Sequence, residues 1–156
     1  MLDPLKRLFG KEDPHKKKIY MVQPSILYHT STERKCKSYL KDYFDAGKIH
    51  TPLDFRRKPR SFFEQLIAES DIIVGVIVKD VYTYPVWQDL EYAQSLRKPF
   101  FTLRVVKMGI RKVDLFLLEG IVDFEKLTWE ETQLLYMEIQ KKQAGFPLLF
   151  GRPPEY

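Results

Sequence analysis

One carboxylate, Glu91, stands two turns past Pro85, in a stretch that reads strand, loop, helix, strand from Glu69 to Leu103. A carboxylate near a helix amino terminus and a crevice can act as a nucleophile or stabilise an oxocarbenium-like centre. Counted at about 100° per residue from Val86, the apolar face of that helix passes through Val86, Leu90 and Ala93, which leaves Glu91 on the flank. Spacing alone keeps two readings of Glu91 open, a catalytic group or a surface charge. Two other kinds of chemistry surround it. Arg56, Arg57, Lys58 and Arg60 form one basic cluster, and Arg104, Lys107, Arg111 and Lys112 form a second. Such clusters hold phosphate or another anion if they face a ligand, and are plain solvated surface if they do not. Tyr20, Tyr28, Tyr82, Tyr84 and Trp87 are flat rings with a polar tip, usable against a nucleobase or as core packing.

The elements that must position these groups alternate along the chain. Residues 17–23 read as a first strand that stops at Pro24. Thr30-Ser-Thr-Glu33 has the form of a capping box, and Cys36, Tyr39, Leu40, Tyr43 and Phe44 follow at helical spacing up to Gly47. Residues 48–51 are a short second strand closed by Pro52. A second capping box, Ser61-Phe-Phe-Glu64, opens a helix with Phe63, Leu66 and Ile67 on one face. Residues 71–78 are the most continuous apolar run, as a strand covered on both faces requires. Pro85 suits a helix start, and that helix runs to about Arg97. A fourth strand covers 99–104. A basic loop at 107–112 and an apolar piece from Leu115 to Leu118 come next, then a fifth strand at 121–124. Thr128-Trp-Glu-Glu131 is a third capping box, and Leu134, Leu135 and Ile139 mark the core face of the last helix.

This alternation predicts an α/β fold: three layers, a doubly wound five-stranded parallel sheet, flavodoxin-like order 2-1-3-4-5. Ligands then bind beyond the carboxyl ends of the strands, so the loops at 23–30, 53–60, 79–84 and 104–112 should converge. The groups this edge offers to a substrate are Gln23, Pro24 and Ser25 after strand one, and Asp54, Arg56 and Arg57 after strand two. Asp80 and Thr83 follow strand three, Trp87 lies in the next helix, and Arg104 ends strand four.

The chain has 156 residues, 44% hydrophobic and 30% charged, which fits one soluble domain. We expect a basic leader at 1–16, a single α/β domain at 17–143, and an apolar tail at 144–156 containing Pro and Gly. Phe146, Leu148, Leu149 and Phe150 should dock that tail on its own subunit or on a neighbour. No apolar run approaches the roughly 20 residues that span a bilayer, and the start lacks the form of a signal peptide. The single cysteine, Cys36, fits a reducing cytoplasm. One Cys and three scattered His give no metal-ligand spacing. No metal, cofactor, membrane or nucleic-acid partner is expected, despite a net charge of +5.

Four pieces together carry a family resemblance. Lys18-Ile-Tyr-Met-Val-Gln-Pro24 resembles the K-I-Y-x-x-x-P opening of the nucleoside 2-deoxyribosyltransferase family, and Glu69-Ser-Asp-Ile-Ile-Val-Gly-Val-Ile-Val78 resembles its third strand. Trp87-Gln-Asp-Leu-Glu-Tyr-Ala93, followed by Lys98-Pro99, is similar to the family's E-L-G-x-A helix and g-K-P strand entry. The likeness covers about residues 17–125. Deoxynucleoside monophosphate glycosidases share much of the pattern, and TIR domains share it more distantly, with a W-x-x-x-E-x-x-x-A-like helix.

The resemblance implies a (deoxy)ribosyl N-glycosidic enzyme, transferase or hydrolase, needing no cofactor and built as a homo-oligomer. Glu91 matches its nucleophile and Tyr20 the strand-one tyrosine that orients that nucleophile or the sugar. Val81-Tyr-Thr-Tyr-Pro-Val86 stands where the family has a glycine-containing loop, Phe63 where it has a base-contacting Asp, and Tyr92 where it has the helix glycine. Three readings follow: an N-glycosidic enzyme of a nucleoside or nucleotide, a non-catalytic nucleotide-binding module with a degenerate site, or a TIR-like domain that cleaves NAD or acts through protein contacts.

Overall fold

The computed structural model describes residues 16–55, 57–109 and 112–144. The leader and the apolar tail fall outside these except for Lys16 and Ala144, and so do Arg56 and Arg111. β1 (Lys17–Val22), β2 (Ala46–His50), β3 (Ile72–Val78) and β5 (Phe100–Gly109) run parallel in the order β2-β1-β3-β5. β6 (Lys112–Glu119) extends the sheet beyond β5, but antiparallel to it. The observed order is therefore 2-1-3-5-6 and mixed, in place of an all-parallel 2-1-3-4-5. The reason is the length of the connection. Gly109 pairs with Lys112, so two residues separate the strands, whereas a parallel return needs a crossover of a dozen or more. The basic stretch expected as a loop thus forms the end of a hairpin.

The expected strand at 121–124 is also absent. That segment is pinned by Tyr82, which is fully buried, shares a 2.6 Å hydrogen bond with the Thr102 hydroxyl and accepts the Val122 N–H at 2.8 Å. Short β4 (Val81–Tyr82) pairs antiparallel with the end of β3, and β7 (Glu125–Lys126) pairs parallel with β4.

Both sheet faces are covered. α1 (Ser31–Phe44) sets Cys36 and Leu40 against Ile19, Met21, Val74 and Val76 on one face. α2 (Arg60–Glu69) and α3 (Tyr84–Ser95) cover the other, with Leu66, Ile67, Val86, Leu90 and Ala93 against Tyr20, Val22, Ile73 and Ile77. All seven residues of β3 are buried, as a strand sandwiched between helix layers should be. Gly75 lets α3 approach. A Cβ there would lie 2.7 Å from Leu90 Cδ1 and 2.9 Å from Val86 Cγ1.

The three capping boxes fare differently. Thr128 and Glu131 form theirs in full at the start of α4 (Trp129–Ala144). At α1, Thr30 caps the Glu33 N–H at 3.2 Å, but the Glu33 carboxylate turns elsewhere. α1 ends at Phe44, because Asp45 takes the left-handed cap with φ 50°, and β2 starts at Ala46. α2 starts at Arg60, so Glu64 lies inside the helix and faces Arg60 at 3.9 Å rather than capping Ser61. α4 crosses the carboxyl edge of the sheet, where Tyr136 accepts the Ser25 N–H and Thr132 the Tyr84 N–H. Ile139 is buried, but Leu134, expected on the core face, is exposed.

Candidate active site

A cavity of about 300 Å³ opens at the carboxyl end of β1. Its floor is a three-residue cluster. Asp89, 4% exposed, receives the Tyr20 hydroxyl on Oδ2 at 2.8 Å and the Arg60 guanidinium on Oδ1. Three elements supply these groups: β1 brings Tyr20, the first turn of α2 brings Arg60, and α3 brings Asp89. The close seat at Gly75 fixes the depth of α3, and with it the carboxylate.

Burial raises the Asp89 carboxyl above its ordinary range, against the opposing pull of Arg60 and Tyr20. Burial, with the neighbouring carboxylate adding to it, pushes the Tyr20 phenol well up. Tyr20 therefore stays a neutral donor at neutral pH. Cys36 is no rival nucleophile: it is packed under α1, and burial pushes its thiol up to about 12.

The walls are aromatic and amide. Tyr28, Phe63, Trp129 and Tyr136 supply rings; Gln23, Gln88 and Gln133 supply amides. Gln23 is buried, and its Nε2 donates to Glu33 Oε2 at 2.5 Å. Only the NH₂ end of an amide can donate to a carboxylate, so the orientation is fixed. Gln23 Oε1 is left buried, with no hydrogen-bond partner among the described residues. This is the task for which Glu33 leaves its helix cap.

Of the residues expected at the site, Tyr20, Gln23 and Ser25 line the cavity. Glu91 does not. It is 45% exposed and pairs with Lys126 at 2.9 Å. Two residues along a helix are about 200° apart, so Asp89 and Glu91 cannot serve one site. Pro24 is buried beside the cavity without lining it. Asp54 accepts the Thr51 N–H within its own turn, and Arg57 is an exposed turn residue with φ 66°. Asp80 and Arg104 hold each other through two bonds of 2.5 and 2.8 Å, which keep the Asp80 carboxyl below its usual range. Thr83 stands at the N-cap position of α3 without a side-chain capping bond, its hydroxyl buried, and Trp87 donates its indole N–H to the Leu127 carbonyl at 2.6 Å. Of the second basic cluster, Arg104 and Lys107 on β5 and Lys112 on β6 do not line the cavity.

Sequence reasoning missed Asp89, Gln88 and the whole α4 wall. A signal for Asp89 was present: the helical count that clears Glu91 places Asp89 about 60° from Val86, on the buried flank. Among the described residues no cluster of three or more His, Cys, Asp or Glu could hold a metal, and no helix is long and apolar enough to cross a membrane. No protein-family model and no curated protein matches the chain.

Proposed function

We propose that the chain cleaves or transfers the N-glycosidic bond of a nucleoside or nucleotide, with Asp89 as nucleophile and Tyr20 and Arg60 as positioning residues. One observation carries the reading: a buried carboxylate, held by a phenol and a guanidinium, on the floor of a cavity walled by rings and amides. The volume lies at the small-ligand end of the pocket range. Rings stack on base faces, and amides read base edges. The family resemblance supports the same residue. Counted back from Ala93, the glutamate of E-L-G-x-A falls on Asp89, and Glu91 takes the place of the glycine.

In the proposed reaction a carboxylate oxygen of Asp89 bonds to the anomeric carbon as the carbon–nitrogen bond breaks. The bonding pair leaves with the base, which takes a proton from solvent. Water, or the N–H nitrogen of a second base, then attacks the same carbon; the bond to Asp89 breaks with its electron pair returning to the carboxylate, and the attacking group gives its proton to solvent. Gln23 Oε1, locked as an acceptor, selects a base or sugar that presents an N–H or O–H to it.

Following release of free base by chromatography from paired amino and oxo nucleosides, their monophosphates and NAD tests this. Release should fall on the order of 10³-fold or more in Asp89→Asn and persist in Glu91→Gln, with far-UV circular dichroism checking the fold of each. Loss in Glu91→Gln alone would move the assignment back to Glu91.

A second reading rests on a specific feature. Both Asp89 oxygens are already engaged by Tyr20 and Arg60, as in a site that binds without reacting. No base release from any compound, with ligand-dependent thermal stabilisation that Gln23→Ala removes, would establish it. The NAD-cleaving reading requires Glu91, which lies outside the cavity.

A further inference from the structure

The outer face of α4 carries two large apolar side chains in water: Leu134 is 64% exposed and Met137 63%. They do not stand alone. Glu130, Leu134, Met137 and Lys141 are spaced four, three and four residues apart, the spacing of one continuous stripe along a helix, and all four are exposed. The inner face of the same helix is committed to its own subunit through Thr132, Tyr136 and Ile139.

The order acidic, apolar, apolar, basic reads the same from either end once the charges are exchanged. We propose that α4 packs antiparallel on α4 of a second copy of this chain, about a two-fold axis midway between Leu134 and Met137. Leu134 then meets Met137 of the partner subunit, and Glu130 meets Lys141 of the partner subunit. Each contact occurs twice, as a closed two-fold interface requires. The wider charge pattern agrees, with Glu130 and Glu131 in the first turn and Lys141 and Lys142 in the last. A parallel pairing would set glutamate on glutamate and lysine on lysine, at a cost. The charge order thus selects both the occupant and its direction. One helix per subunit makes a small contact, at the weak and transient end of the interface range, so the expected dimer is in concentration-dependent exchange with the monomer.

Sedimentation velocity of the full chain over a concentration series reads this directly. The mass should rise towards twice the 18.6 kDa of one chain. Leu134→Asp should leave a folded monomer with an unchanged circular dichroism spectrum. Glu130→Lys should weaken the dimer at least tenfold, and adding Lys141→Glu to the same chain should restore it. A dimer insensitive to Leu134→Asp would overturn the proposal, as would failure of the double reversal to rescue. So would a monomer at every concentration, including one in which Leu134→Asp lowers the melting temperature, because the chain's own tail would then be what covers the stripe.

Discussion

Asp89 is set by its surroundings to respond to pH in two opposed ways. Burial raises its carboxyl, and a nucleophile must be ionised. Base release should therefore climb with pH along a limb above the ordinary aspartate value of about 3.9. Stability runs the other way. The folded chain holds this proton more tightly than the unfolded chain, so the contribution of Asp89 is fully present below its unfolded pKa and is lost as pH rises through the folded value. kcat/KM and melting temperature, each measured against pH, should cross over the same window, and Asp89→Asn should remove the Asp89 part of the stability slope. An activity limb at or below the ordinary aspartate value would sink the assignment. At this scale the sequence was half legible. Gln23 and Ser25 follow from the rule that ligands sit beyond strand ends, and Tyr20 from the family resemblance. Asp89 was overlooked because a glutamate two residues on drew the motif out of register, although helix geometry alone separates the two.

Among the elements, α3 depends most on a single position. At Gly75, side-chain atoms of Leu90 and Val86 occupy the space a methyl group would need. Gly75→Ala should cost about 1–3 kcal/mol through overpacking. Its effect on base release should exceed what the lost stability explains, because the displaced helix carries Asp89. Thermal melting and kcat/KM on the folded fraction check this, and a variant with wild-type values in both would show that α3 is seated elsewhere. β1, β3, β5, α1 and α3 were readable because apolar runs and helical spacing report burial directly. β6 was not. Lys107, Arg111 and Lys112 made the hairpin end look like a ligand loop, and Phe116 on β6 stays exposed, which weakens the alternation that marks a strand. The stretch at 121–124 looked like a strand for the opposite reason: its apolar side chains pack over the sheet while its backbone is held by the Tyr82 hydroxyl.

For the whole molecule, the last helix joins two roles that no local pattern connects. Trp129, Gln133 and Tyr136 wall the cavity, while Leu134 and Met137 face outward. That α4 lies across the sheet edge depends on tertiary contacts, the Ser25 and Tyr84 amides, which sequence periodicity does not encode. If α4 is the dimer seam, the melting temperature should rise with protein concentration, because association favours the folded chain by mass action. A melting temperature that is flat across a hundredfold range would leave the seam without support.

The Arg60–Asp89 pair has one more consequence, an electrical one. The chain carries a net charge of +5, yet among the described residues a single cation is set against a single anion on the cavity floor, and Arg104, midway along β5, spends its charge on Asp80. Among the described residues, no excess of positive charge is therefore focused where the ligand would sit. A phosphate entering the cavity would have to draw Arg60 away from the carboxylate or find its counter-ion outside, whereas an uncharged nucleoside would leave the local balance as it stands.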